Sequence, residues 1–203
     1  MKYERKDAHY RRAKTEGLRA RSAYKLTELD DRYRLLRKGD RVVDLGAWPG
    51  GWCQVAAERV GPSGRVIGVD LVALDPLPAR NLQLLVGDVR DSAVADEITS
   101  RLGGLANVVL SDVAPKLTGV GDMDEARCSE VVDAVIELLP RLLEPGGRAM
   151  LKMFMNSTYR AYLARLQVIF EQVRATRPEA SRRGSSELYV LGSDFVSGST
   201  VCG

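Results

Sequence analysis

From residue 41 onward, short apolar runs rich in β-branched residues alternate with longer segments whose apolar residues recur at helical spacing. Runs such as Val108-Val109-Leu110 are continuously apolar, which is typical of strands buried on both faces of a parallel sheet. Alternation of such strands with helices predicts a doubly wound α/β fold. The predicted strands cover residues 41–45, 65–70, 81–86, 107–111 and 148–154, and the predicted helices cover 51–60, 91–102, 125–143 and 157–170.

Both ends of the chain depart from this alternation. Residues 1–37 predict a basic helical extension, with helices at 7–16 and 22–33 separated by Gly17. Two late runs, 172–177 and 187–192, predict a closing hairpin, and the Ser- and Gly-rich tail at 193–203 is expected to fray. We therefore expect one domain over residues 1–203, with a mostly parallel sheet of seven strands, one antiparallel closing strand and helices on both faces.

The composition is that of an ordinary globular protein. Hydrophobic residues make up 45% and charged residues 28% of the chain, which argues against a disordered or fibrous protein. No apolar run approaches the roughly 18 residues that span a bilayer, and the polar N-terminus does not resemble a secretory signal. Cys53, Cys128 and Cys202 lack CxxC spacing, so we expect a reducing, cytoplasmic location and no zinc site. His9 is the only histidine, which excludes sites that need a histidine pair.

Positive charge is concentrated at the N-terminus. The whole chain carries a formal net charge of +3, whereas residues 1–25 carry nine basic and three acidic side chains. A basic arm on a nearly neutral body suits a polyanion such as RNA, although a solvated charged helix explains the charge on its own equally well. The candidate phosphate contacts are Arg11, Arg12, Lys14, Arg19 and Arg21 in the arm, with Arg182 and Arg183 before the last strand.

A glycine-rich loop, DLGAWPGGW at residues 44–52, joins the first strand to a helix. Gly46, Gly50 and Gly51 permit a tight turn and close approach of a ligand to the backbone. The spacing is not GxGxxG, and Pro49 removes an amide donor that a pyrophosphate would use. The loop therefore favours a nucleoside over a dinucleotide, with a purely structural turn as the alternative.

Acidic residues follow successive predicted strands. Asp70 lies 20 residues after Gly50, where an acid can accept both hydroxyls of a ribose, and Asp88 is placed to accept from an adenine amino group. Asp112 follows the fourth strand. Each aspartate alone could be a helix N-cap, but a row of acids at the carboxyl edge of a sheet suits a cationic ligand such as a sulfonium.

Lys152 interrupts the apolar strand at residues 148–154. A lysine in such a run is costly unless it reaches an acid, so it either snorkels to the sheet edge or acts as a catalytic lysine near Asp112. Glu187 opens the last predicted strand. If that strand is antiparallel to the others, Glu187 faces the same crevice; otherwise it is an exposed acid.

Five blocks, residues 19–26, 44–52, 111–115, 151–154 and 187–190, together resemble the FtsJ/RrmJ family in order and spacing. Its members are S-adenosylmethionine-dependent RNA 2′-O-ribose methyltransferases, and the resemblance covers residues 5–192. It implies a Rossmann-like methyltransferase fold and no metal. It also implies a catalytic tetrad of Lys25, Asp112, Lys152 and Glu187, with Lys152 as general base, and cofactor contacts from Gly50, Trp52, Asp70, Asp88 and Asp112.

Short members of this family methylate a uridine in the A-loop of large-subunit (23S) rRNA within the ribosomal particle, and the resemblance implies this substrate. We expect a monomer. The same tetrad could act on tRNA ribose or, less plausibly, on an mRNA cap. An RNA-binding ribosome-assembly factor is a further alternative, against which the intact tetrad argues, and the glycine spacing disfavours a nicotinamide oxidoreductase. Trp48 departs from the family, in which a small residue is usual.

The arm predicts a steep dependence of RNA affinity on salt. Replacing Arg11, Arg12 and Lys14 with glutamine is expected to flatten the slope of log K against log salt by up to about 3 units, if each meets a phosphate. Filter binding over a series of salt concentrations measures this slope. An unchanged slope would mean that the RNA surface lies elsewhere.

Overall fold

A computed structural model describes residues 17–115, 121–179 and 186–196. The helix predicted at residues 7–16 lies outside the described residues, as do five of the candidate phosphate contacts. These five are Arg11, Arg12, Lys14, Arg182 and Arg183.

Within the described residues, five helices and seven strands follow one another along the chain. Their order is α1 (Ala23–Tyr33), β1 (Arg41–Leu45), α2 (Gly51–Val60), β2 (Arg65–Asp70), β3 (Leu82–Val86), α3 (Val94–Leu102), β4 (Ala106–Ser111), α4 (Gly121–Leu142), β5 (Leu143–Phe154), α5 (Tyr159–Ile169), β6 (Phe170–Thr176) and β7 (Glu187–Phe195).

The strands form one sheet in the order β3-β2-β1-β4-β5-β7-β6. Strand β7 pairs antiparallel with both of its neighbours, whereas the pairs among β1 to β5 are parallel. The predicted α/β architecture, with a single antiparallel closing strand and a hairpin-like β6–β7 pair, is therefore confirmed.

Helices cover both faces of the sheet, as the two hydrophobic cores show. Val43 and Leu45 of β1 belong to the core that packs against α3, α4 and α5. Val42 belongs to the other core, which contains Leu26 of α1 and Val55 of α2. Neighbouring side chains of a strand point to opposite faces of the sheet. Helices α1 and α2 therefore cover one face, on which the candidate site lies, and α3, α4 and α5 cover the other. None of the helices in the described part of the chain combines the length and apolarity that crossing a membrane requires.

Two element boundaries differ from the sequence pattern. The Pro-Gly-Gly segment at 145–147, predicted to end the long helix, lies inside β5, because the β4–β5 register shifts between Ala106 and Val108 and leaves the extra residues as an irregularity. Strand β7 continues to Phe195, where it pairs with Phe170. Residues 193–195 of the tail predicted to fray are therefore hydrogen-bonded strand.

Candidate active site

The carboxyl edge of the sheet collects charged side chains on the face beneath α1 and α2. Leu110 and Met150 pack in the core on that face. Since side chains alternate along a strand, Asp112 and Lys152, two residues further on, belong to the same face. Strand β7 runs in the opposite direction, and its register places Tyr189 beside Lys152.

The four side chains of the predicted catalytic tetrad form two ion pairs. Lys152 Nζ donates to the Asp112 backbone oxygen at 2.6 Å and lies 3.1 Å from Asp112 Oδ1. Lys25 Nζ, on α1, donates to Glu187 Oε1, which lies at the start of β7. The antiparallel direction of β7 thus brings Glu187 into the crevice.

Tyr189 joins the two ion pairs and was missed in the sequence. Its hydroxyl lies 2.9 Å from both Asp112 Oδ1 and Glu187 Oε1, and Lys25 Nζ lies 3.3 Å from the same hydroxyl. Burial, reinforced by the two carboxylates, raises the pKa of Tyr189 far above its ordinary value. The phenol therefore keeps its proton and donates it to one carboxylate at a time.

Glu187 is a carboxylate at neutral pH. Burial raises the pKa of Glu187, but the hydrogen bond and the charge of Lys25 outweigh that effect and hold the pKa below its ordinary value. The side chains of the tetrad are 8–19% exposed. A reacting hydroxyl would thus meet fixed charges with little competing water.

The loop between β1 and α2 brings backbone groups close to the same edge. Gly46 and Gly50 have φ values of 80° and 110°, which strain any residue other than glycine. A Cβ on Gly46 would lie 2.8 Å from Val113 Cα. The first turn of α2 leaves the amides of Gly51 and Trp52 without helical partners, so it favours a negatively charged group such as a carboxylate.

Asp70 ends β2 next to this loop. Its Oδ2 accepts from the Trp48 amide and its Oδ1 from the Val72 amide, each at 2.9 Å. Each carboxylate oxygen keeps a further lone pair, so a ribose diol can still bind. The Trp48 side chain is 60% exposed.

Trp52 lies in the core between the loop and the tetrad. It is 3% exposed, its Nε1 donates to the Ser22 oxygen at 2.8 Å, and its ring centroid lies 5.7 Å from that of Tyr189. The indole is therefore a packing group, which leaves the Trp52 backbone as the part available to a cofactor.

The sequence model of the FtsJ-like methyltransferases matches residues 18–195. The chain belongs to this family. Curated relatives named ribosomal RNA large subunit methyltransferase E include one from Methanobrevibacter smithii, which is 43% identical over 93% of this chain and 90% of the relative. Another, from Azoarcus sp., is 45% identical over 93% of this chain and 92% of the relative.

Solved structures agree with the fold of this FtsJ-like methyltransferase. A Plasmodium falciparum protein described as a ribosomal RNA methyltransferase is 28% identical, with a TM-score of 0.76 over 87% of this chain and 98% of that one. Aeropyrum pernix fibrillarin, solved with bound S-adenosylmethionine, has a TM-score of 0.57 at 16% identity over 78% of this chain and 68% of that one. At that identity, the fibrillarin likeness concerns the fold alone.

Asp88, the predicted adenine contact of this FtsJ-like methyltransferase, is already engaged. Arg90 donates to both of its carboxylate oxygens, at distances down to 2.6 Å, and also reaches Glu130 at 3.1 Å. The hydrogen bonds from Arg90 lower the pKa of Asp88. An adenine amino group would therefore have to share this carboxylate with a guanidinium.

Of the predicted phosphate contacts, only Arg19 and Arg21 lie within the described residues. Arg21 is partly buried just before α1. The guanidinium of Arg19 donates to the backbone oxygens of Asp75 and Pro76, each at 2.6 Å. Arg19 is thus directed at the protein itself. Across the described segments, no group of three or more side chains could hold a metal ion.

Asp44, in β1, is fully buried beneath the glycine loop and was not predicted as a site residue. Its Oδ2 accepts from Cys53 Sγ at 3.1 Å, whereas its Oδ1 has no partner among the described residues. Burial, together with the charges of Asp112 and Asp70, raises the pKa of Asp44 to about 7, although the hydrogen bond from Cys53 lowers it. A buried, unpaired carboxyl oxygen near two more carboxylates favours a cationic ligand. S-adenosylmethionine, with its sulfonium and ammonium groups, fits this donor set.

The buried carboxyl predicts a pH-dependent stability. The native pKa of Asp44 is about 7 against an ordinary value of 3.8, so the native state binds its proton more tightly and stability is lost as the pH rises between these values. Asp44→Asn removes this loss. Between pH 5 and pH 6, below the native pKa, the free energy of unfolding should shift in favour of the variant by about 1.3 kcal/mol.

Urea denaturation of the cofactor-free protein at both pH values measures this difference. Asp31→Asn is the matched control, because the Asp31 side chain is 57% exposed. Parallel pH profiles for wild type and Asp44→Asn would contradict the assignment.

Proposed function

We propose that this chain transfers the methyl group of S-adenosylmethionine to a ribose 2′-oxygen of large-subunit rRNA, at a uridine of the A-loop within the ribosomal particle. The observation that carries the proposal is the pair of lysine–carboxylate contacts, joined by Tyr189, at the sheet edge that also carries the glycine loop and Asp70. The names of the curated relatives support large-subunit rRNA as the substrate.

The cofactor supplies an electrophilic methyl group on a sulfonium. A ribose hydroxyl is a poor nucleophile, so the protein must orient the hydroxyl and accept its proton as the carbon–oxygen bond forms. No metal ion takes part in this scheme, and the charged side chains described above supply the electrostatics.

In this proposal Lys152 accepts that proton. A neutral amine has two N–H donors and one lone pair. The two donors match the two oxygens of Asp112 that lie within 3.1 Å of Lys152 Nζ. The lone pair then points away from Asp112 and is left to accept a proton from the ribose hydroxyl. Asp112 thereby fixes the orientation of the base.

Lys25 and Glu187 lie on the other side of the proposed ribose position from Lys152. Their ion pair holds a positive and a negative group near the ribose, and the Tyr189 hydroxyl fixes Glu187 relative to Asp112. Asp70 accepts the hydroxyls of the cofactor ribose, and Asp88 accepts from the adenine amino group. The cofactor carboxylate passes Gly50 and binds the amides of Gly51 and Trp52 in the first turn of α2. The RNA is held by the basic arm, through Arg11, Arg12, Lys14 and Arg21, and by Arg182 and Arg183.

Methyl transfer to three RNA substrates tests the proposed function. Labelled S-adenosylmethionine is supplied with large-subunit particles, naked rRNA or tRNA. We expect transfer to the particles and little transfer to tRNA. Preferential labelling of tRNA would contradict the substrate, and binding of RNA without transfer to any of the three would indicate an assembly factor.

Variants of Lys152 test the base. Lys152→Ala should lower the single-turnover rate by about 100-fold or more, the usual scale for a general base, with little change in affinity for S-adenosylmethionine. Lys152→Arg keeps the charge but does not deprotonate, so it should be equally impaired. Lys38→Ala, at an exposed lysine, is the control.

Near-full activity of Lys152→Arg would show that Lys152 only orients the ribose. Loss of cofactor binding in both Lys152 variants would make Lys152 a structural residue of the crevice.

A further inference from the structure

The segment between β2 and β3 lies against the glycine loop. A Cβ on Gly50 would lie 2.9 Å from Leu77 Cδ1 and 3.6 Å from Leu74 Cδ2. The same segment begins directly after Asp70, whose Oδ1 accepts from the Val72 amide. Residues 71–80 therefore form a wall of the crevice in which we place the cofactor ribose.

This wall has few contacts of its own. Leu74 and Leu77 are partly buried, and most of residues 71–80 are exposed. Its backbone hydrogen bonds are short-range, such as that from the Ala79 amide to the Leu77 oxygen at 2.8 Å. A segment of this kind opens easily unless a group from outside holds it.

Arg19 makes hydrogen bonds to this segment from outside it. Its Nη1 donates to the Asp75 oxygen and its Nη2 to the Pro76 oxygen, each at 2.6 Å. The side chain also passes close to the glycine loop, since a Cβ on Gly50 would lie 3.3 Å from Arg19 Cδ. One planar guanidinium thus joins two successive carbonyls of the wall.

The backbone of Arg19 is in turn fastened to α2. Its amide donates to Gln54 Oε1 at 2.9 Å, and Gln54 Nε2 donates to the Gly17 oxygen at 3.1 Å. A Cβ on Gly51 would lie 3.0 Å from Ala20 Cβ. The backbone next to Arg19 therefore packs so closely on the first turn of α2 that a larger residue than glycine at position 51 would crowd it.

We infer that Arg19 is a positioning residue for the cofactor, which fastens residues 71–80 to α2 and so keeps the wall beside Asp70 closed. Two of its five N–H donors are directed at the protein's own carbonyls, so the phosphate contact expected from the sequence would have to use the other three. This inference rests on the proposed cofactor crevice. A lysine cannot replace the fork, because a single ammonium lacks the rigid geometry that spans two carbonyls.

The test compares Arg19→Lys with wild type in the absence of RNA. In the cofactor-free protein, amide hydrogen exchange in residues 71–80 should be faster in the variant. Affinity for S-adenosylmethionine by calorimetry should fall about tenfold, equivalent to about 1.4 kcal/mol, with faster dissociation. The KM for S-adenosylmethionine should rise by a similar factor, whereas the rate at saturating cofactor and RNA should fall much less. Arg37→Lys, at an exposed arginine, is the matched control.

Two results would overturn the inference. One is unchanged exchange and unchanged cofactor affinity in Arg19→Lys. The other is a weaker RNA affinity with a flatter salt slope and normal cofactor binding, which would make Arg19 a phosphate contact. Asp70→Ala separates a wrong role for Arg19 from a wrong position for the cofactor crevice. If Asp70→Ala also leaves the affinity for S-adenosylmethionine unchanged, the cofactor does not bind beside Asp70.

Discussion

Strand β7 pairs antiparallel with β5, and this pairing places Glu187 and Tyr189 at the edge of the sheet where Asp112 and Lys152 lie. In an all-parallel sheet, the start of the last strand would lie at the opposite edge. Helix α1 then needs to contribute only Lys25 to complete the cluster. The reversed strand thus brings both lysine–carboxylate pairs to one edge of the sheet.

Burial makes this cluster both costly and effective. Removing charged groups from water is unfavourable unless each has a partner, and here every member of the tetrad has an ion-pair partner. Tyr189 ties the pairs together with one hydroxyl, and its ring packs on Trp52. Since Trp52 lies in the first turn of α2, the same contact sets the distance between the glycine loop and the tetrad.

Much of the fold could be predicted from the sequence, because its strands are continuous apolar runs and its loops carry glycines with positive φ. The position of Glu187 depends on the direction of β7, so its place in the crevice followed from the expected antiparallel closing strand and the family resemblance rather than from the residues around it. Tyr189 stands between Leu188 and Val190 and looks like an ordinary core residue. The contacts of Arg19 join residues 56 and 57 positions apart, a distance over which charge pattern carries no information.

The geometry of the tetrad supports the roles that the family resemblance implies. The position of the transferred methyl group is the most direct test. A 2′-O-methyl group blocks attack of that oxygen on the adjacent phosphate, so alkaline hydrolysis leaves an uncut dinucleotide. After reaction of large-subunit particles with labelled S-adenosylmethionine, the account predicts label in an alkali-resistant dinucleotide, and none with Lys152→Ala. Label recovered in mononucleotides would place the methyl group on a base and contradict the account.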